Sequence, residues 1–130
     1  MREGFLVMIE QIIKRDGRTA PFDLDKIANA IFGAAQSVGG QDYEMAHELA
    51  EQVEKELEKT VSEKIPTVEQ IQDTVETVLI ESGHARTAKK YILYRNERTR
   101  VREMNTRLMK VYEDLTFKSS IENDIKRENA

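Results

Sequence analysis

The chain has 130 residues, of which 39% are hydrophobic and 34% charged, with no cysteine and a formal net charge of −4. That length fits one domain, or one domain with a tail, and the lack of cysteine excludes disulfides, zinc ribbons, iron–sulfur ligands and thiol catalysis. No apolar run approaches the ~20 residues of a membrane span, and the Met1–Ile9 stretch is too short for a signal peptide, so a cytoplasmic protein is expected.

The first unit reads as a hairpin. Ile9 to Arg15 is β-branched and apolar, Asp16-Gly17 suits a tight turn, and Arg18 to Phe22 returns. Pro21 has no N–H to give a ladder, so the return strand should be short and lie at an edge. Two strands alone are marginal and must pack on something. Asp23 stands where a helix N-cap belongs, and Leu24, Ile27, Ala28, Ile31, Ala34, Ala35 and Val38 follow at three- and four-residue steps until Gly39-Gly40. A second helix is predicted from Asp42 to Thr60, carrying Met45, Leu49, Val53 and Leu57 on one stripe, then a short connection over 62–66.

Thr67-Val68-Glu69-Gln70 has the form of a capping box, opening a third helix that buries Val68, Ile71, Val75, Val78 and Leu79 and stops at Gly83. A fourth begins near Ala85 with Ala88, Tyr91, Ile92 and Tyr94. The two tyrosines read as core rather than as a stacking platform. Val101, Met104, Leu108, Val111 and Leu115 keep a 3-4-3-4 spacing, so the helix either runs on or restarts after a bend. Thr116 to Ala130 is expected to lack stable order of its own. The fold class is therefore mainly α (α+β): a four-helix bundle capped by a small N-terminal β-hairpin or three-stranded sheet.

The net charge hides a split. Gln41 to Ser82 holds twelve acids against three lysines, whereas His84 to Lys110 holds nine bases against Glu97 and Glu103. An acidic chain is a poor general nucleic-acid binder, and the basic strip suits either a small anion or the acidic neighbouring helices. No catalytic constellation, Walker loop or dinucleotide motif is present; His47 reads as a surface residue and His84 as a structural one at a helix junction. The informative stretch is Lys14-Arg15-Asp16-Gly17, followed by Lys26 in the first turn of helix one. A hairpin folded back over that helix end would bring Lys14 and Lys26 together, where ammonium groups and helix amides favour a polyphosphate. Taken alone, the same residues better describe a solvated turn.

Three ordered segments carry a more specific signal: K-R-D-G-R-T-A-P-F-D-L-D-K-I, P-T-V-E-Q-I-Q-D-T-V-E and A-K-K-Y-I-L-Y-R. Together, over about residues 12 to 98, they resemble the ATP-cone domain, the nucleotide-sensing module of ribonucleotide reductases. Residues 108–114 and 123–130 are similar to the stretch that joins this module to the catalytic body of anaerobic ribonucleoside-triphosphate reductases. The resemblance implies a cone over 1–100 and, over 101–130, a helical linker and the start of the catalytic region, partly disordered. It also implies that ATP activates and dATP inhibits, with magnesium accompanying the nucleotide. The implied partners are the reductase catalytic region and a second cone in an oligomer; nucleic acid and membrane are not among them. The chain by itself is not expected to be an enzyme.

Carried over by position, Ile12 is implied to meet the base, and Lys14 and Arg15 the phosphates. Lys26 is implied near phosphate or ribose, and Thr67 with Gln70 or Gln72 at the adenine or sugar edge. Lys89 or Lys90, with Arg95, would complete the phosphate site. Ala20 stands where the family often has glutamate, and Asp23 where some members have asparagine. Two other readings compete: the cone of a transcriptional repressor of reductase genes, disfavoured by the missing cysteines, and a helical protein-interaction module that binds no nucleotide.

Overall fold

The computed structural model describes residues 9–61 and 65–129, with side chains as far as Lys118. Strands β1 (Gln11–Ile13) and β2 (Thr19–Pro21) come first, then helices α1 (Leu24–Gln36), α2 (Tyr43–Thr60), α3 (Val68–Glu81) and α4 (Ala85–Asn129). The expected Met1–Met8 segment and part of the α2–α3 connection, residues 62–64, lie outside the described residues.

The strands run antiparallel, with Gln11 opposite Pro21, Ile12 opposite Ala20 and Ile13 opposite Thr19. The Phe22 N–H donates to the Glu10 carbonyl at 2.8 Å and the Lys14 N–H to the Arg18 carbonyl at 2.7 Å. In an antiparallel ladder such pairs alternate, so Gln11 and Ile13 turn their backbone groups away from β2. Pro21, facing Gln11, thus sits where the ladder asks nothing of its nitrogen. The outward Ile13 N–H instead donates to the Pro66 carbonyl at 2.9 Å, and Ile13 forms an isolated parallel bridge with Thr67. Of the two expected forms, the sheet is two-stranded, widened by this single bridge.

The hairpin turn is closed by the Gly17 N–H on the Lys14 carbonyl at 2.9 Å, with Gly17 at φ +89°. That is a three-residue loop whose last position is left-handed, a conformation that favours glycine. Asp16 secures it, accepting from the Arg18 N–H at 3.0 Å and from Arg18 Nε at 2.7 Å.

The first three helices begin at side-chain caps. Asp23 accepts from the Asp25 N–H at 3.0 Å and Asp42 from the Met45 N–H at 3.1 Å. At α3 the box is reciprocal: the Gln70 N–H donates to Thr67 Oγ1 at 3.1 Å, and the Thr67 N–H to Gln70 Oε1 at 2.9 Å. α3 ends at Gly83, φ +84°, where the Gly83 N–H reaches the Ile80 carbonyl and the His84 N–H the Leu79 carbonyl at 2.9 Å. These two bonds are the Schellman pair that satisfies a helix's last carbonyls.

The chain divides into two compact units, Met1–Leu93 and Tyr94–Ala130. In the first, Ile27, Ala28 and Ile31 of α1 meet Ala46, Leu49, Ala50, Val53 and Leu57 of α2, with Ile71, Val75, Val78 and Leu79 of α3 and Ala88 and Tyr91 of α4. Ile12 and Phe22 pack on this cluster from the hairpin, which gives the two strands the support they need. Phe32 and Tyr43 join α1 to α2 edge-to-face at 5.2 Å, and the Tyr43 hydroxyl donates to Asn29 Oδ1 at 2.9 Å. Gly33, by contrast, lies on the exposed side of α1, with nothing within 4 Å of where a Cβ would stand.

The second unit consists of the rest of α4. The expectation that Tyr94 joins the core is corrected: it is 61% exposed, with the Arg98 guanidinium 5.9 Å from its ring centre. Its position, three residues after buried Tyr91, had suggested the same face, but the apolar cluster of the first unit ends at Tyr91. Val101, Met104, Leu108, Val111 and Leu115 are likewise exposed. The helix is continuous through Asn129, where the sequence had suggested loss of order after Thr116. After Gly83 the chain contains no glycine or proline, so no residue interrupts the i→i−4 ladder. No helix among the described residues is long and apolar enough to cross a membrane.

Candidate functional site

The hairpin's basic end and the first turn of α3 are brought together by the backbone. Pro66 is fully buried, and a residue preceding proline is held extended, so the chain enters α3 as a short straight segment. The Ile13–Thr67 bridge docks β1 along that segment. Two residues beyond Ile13, Arg15 leaves the strand within reach of α3. Its guanidinium forms an ion pair with Glu69 through Nη1 and donates from Nη2 to Gln72 Oε1 at 3.1 Å.

This assembly gathers Ile12, Arg15, Thr67, Gln70 and Gln72 of the expected residues around one junction. Ile12 is half-buried, its side chain on the bundle side of β1. The Thr67 and Gln70 side chains are engaged by the capping box as acceptors, which leaves the Thr67 hydroxyl hydrogen and the Gln70 amide nitrogen as donors. Lys14 is exposed at the end of β1, next to a turn whose Asp16 carboxyl is held below the usual carboxylate range. The Arg18 backbone N–H is the main cause, followed by the Arg18 side chain, with the Lys14 charge helping.

The lysines stand apart from this junction. Lys26 is exposed in the first turn of α1, and Lys89 and Lys90 are exposed near the start of α4. Among the described residues, no hydrogen bond or ion pair joins Lys26, Lys89 or Lys90 to the junction, or Lys14 to Lys26. Arg95 is half-buried and belongs to the second unit. His47 lies near the surface of α2, its Nδ1 3.3 Å from Glu51 Oε1, and the His84 backbone closes α3 and opens α4.

Glu69 was missed as a site residue by sequence reasoning, which counted it among the acids of an acidic segment. Its signal was positional: a carboxylate in the first turn of the helix whose cap bridges to the basic strand. The Ile13–Thr67 bridge was the missing link.

Residues 10–100 match the family described as the ATP cone domain. The chain belongs to the ATP-cone family. It is 42% identical over 113 residues to a vitamin B12-dependent ribonucleoside-diphosphate reductase of Thermoplasma acidophilum, taking in 83% of this chain and 14% of that protein. It is 36% identical over 111 residues to an anaerobic ribonucleoside-triphosphate reductase of Haemophilus influenzae, taking in 85% of this chain and 16% of the relative. A ribonucleoside-diphosphate reductase subunit alpha of Chlamydia muridarum is 38% identical over 101 residues, or 71% of this chain and 10% of that one. The cone therefore corresponds to a small part of each of these reductases, and the compact first unit, Met1–Leu93, lies almost wholly within the matched span.

Proposed function

We propose that this chain is the allosteric regulatory module of a ribonucleotide reductase, binding ATP as activator and dATP as inhibitor at the junction of β1 and α3. The observation that carries this reading is the Ile13–Thr67 bridge, which sets Arg15 beside the N-terminal turn of α3 in a chain of the ATP-cone family, with Lys14 preceding it at the end of β1. Cationic side chains next to the positive end of a helix are suited to a polyphosphate. Ile12 offers apolar surface to a base, while Thr67, Gln70 and Gln72 offer donors and acceptors to a base edge or sugar.

In this reading the two nucleotides share the phosphate contacts and differ in one 2′-hydroxyl. A hydroxyl that satisfies an otherwise unpaired buried group is worth about 1–3 kcal/mol. That difference regulates an enzyme when ATP and dATP favour different arrangements of the cone, since equal binding to both arrangements shifts nothing. Lys26, with Lys89 or Lys90, completes the phosphate site if the bound nucleotide draws them in. Among the described residues no group of three or more His, Cys, Asp or Glu side chains is placed to hold a metal ion. Magnesium arriving with the nucleotide would be held chiefly through its phosphate oxygens and water.

Isothermal titration with ATP, dATP and GTP tests the proposal. Saturable binding of ATP and dATP, weakened at least tenfold by Lys14→Ala with the helical circular dichroism unchanged, is the expected result. No heat from either adenine nucleotide, or equal binding of all three with Lys14→Ala indifferent, overturns it and favours a helical interaction module.

A further inference from the structure

Glu69 has no part in the reading above, yet it holds the arginine on which that reading depends. Arg15 gives one guanidinium nitrogen to the Glu69 carboxylate and another to Gln72 Oε1 at 3.1 Å. A planar guanidinium with two of its donors taken by oxygen acceptors is arranged much as it would be on a phosphate, which uses the same fork geometry. The carboxylate thus sits where an anion's oxygens would sit, at the helix end whose dipole also favours negative charge. The pair is neither isolated from water nor fully solvated: the side chains are 33% and 51% exposed. Its exchange for another anion is therefore cheap but not free.

We propose that Glu69 is an internal competitor for the anion at Arg15, a residue that lowers the affinity of the cone for nucleotide phosphate and hastens its release. The inference rests on the nucleotide-binding reading. A ligand phosphate reaches the guanidinium by displacing the carboxylate, so part of its binding energy goes into breaking the Arg15–Glu69 pair. Removing the Glu69 charge while keeping the side chain's size should therefore strengthen binding, whereas removing Arg15 should abolish the gain.

The test is a cycle of four proteins, wild type, Glu69→Gln, Arg15→Ala and the double variant, each titrated calorimetrically with ATP at low ionic strength. Glu69→Gln should tighten ATP about two- to fivefold, the range expected of one partly exposed ion pair. In the Arg15→Ala background the same change should have no effect. Glu69→Asp, which keeps the charge in the first turn of α3 but shortens its reach, should also tighten binding and guards against a folding defect in the glutamine variant. The Arg15 Nε–H resonance gives a readout that needs no nucleotide, and its solvent exchange should quicken in Glu69→Gln. Unchanged or weaker ATP binding in both Glu69 variants overturns the inference while leaving the nucleotide site standing. An equal gain with Arg15 absent also overturns it, since the effect would then be general charge. Absence of ATP binding to the wild type would instead defeat the functional reading itself.

Discussion

Thr67 joins stability to the candidate site, because one residue both caps α3 and bridges to β1. Thr67→Ala deletes the Oγ1 that accepts the Gln70 N–H at 3.1 Å and breaks the reciprocity of the box. Loss of such a cap costs about 1 kcal/mol, within a range of about 0.5–2. With a urea dependence of about 2 kcal/mol/M, the unfolding midpoint should fall by roughly 0.5 M. The backbone bond from the Ile13 N–H to the Pro66 carbonyl involves no part of the Thr67 side chain, but it anchors the same segment. Hydrogen exchange should therefore quicken most at the Gln70 amide and measurably at Ile13. Thr67→Ser keeps the oxygen and should recover most of the loss. A midpoint and a Gln70 protection unchanged in Thr67→Ala would refute the capping argument, as would a loss that serine fails to repair.

Two further outcomes follow from features away from the junction. Gly33→Ala places a methyl in open space on a helical residue and should raise stability by about 1 kcal/mol, seen as a higher urea midpoint; a lower one would contradict the open environment of that face. Glu54 is held above the usual carboxylate range, first by burial and then by the charges of Glu58 and Glu51. The folded state therefore binds this proton more tightly than the unfolded chain, giving stability that is present at low pH and lost as pH rises through the folded pKa. Glu54→Gln should flatten that part of the pH–stability curve without lowering the urea midpoint at neutral pH.

Much of this fold was written in local signals. Asp23, Asp42 and the Thr67–Gln70 pair each act as caps because a side-chain oxygen meets amides within three residues, a relation that sequence spacing displays directly. Asp16-Gly17 marked the hairpin for the same reason. The partnership of Arg15 with Glu69 and Gln72 spans more than fifty residues, and nothing local encodes it. It becomes visible once the alternation of β1 turns the Ile13 amide outward and Pro66 supplies the acceptor. Tyr94 shows the opposite limit: helical periodicity gives a face, but it does not say how far along the helix the neighbouring elements extend.

The alternation in β1 also bears on self-association. One flank of that strand meets β2 and the other meets the Pro66–Thr67 segment, so among the described residues the outer side of β2 is where a foreign strand could add. That side has three residues, one of them a proline whose missing hydrogen faces outward. An intruding chain would find too few donors to zip against, which guards a solitary hairpin against templating fibrils.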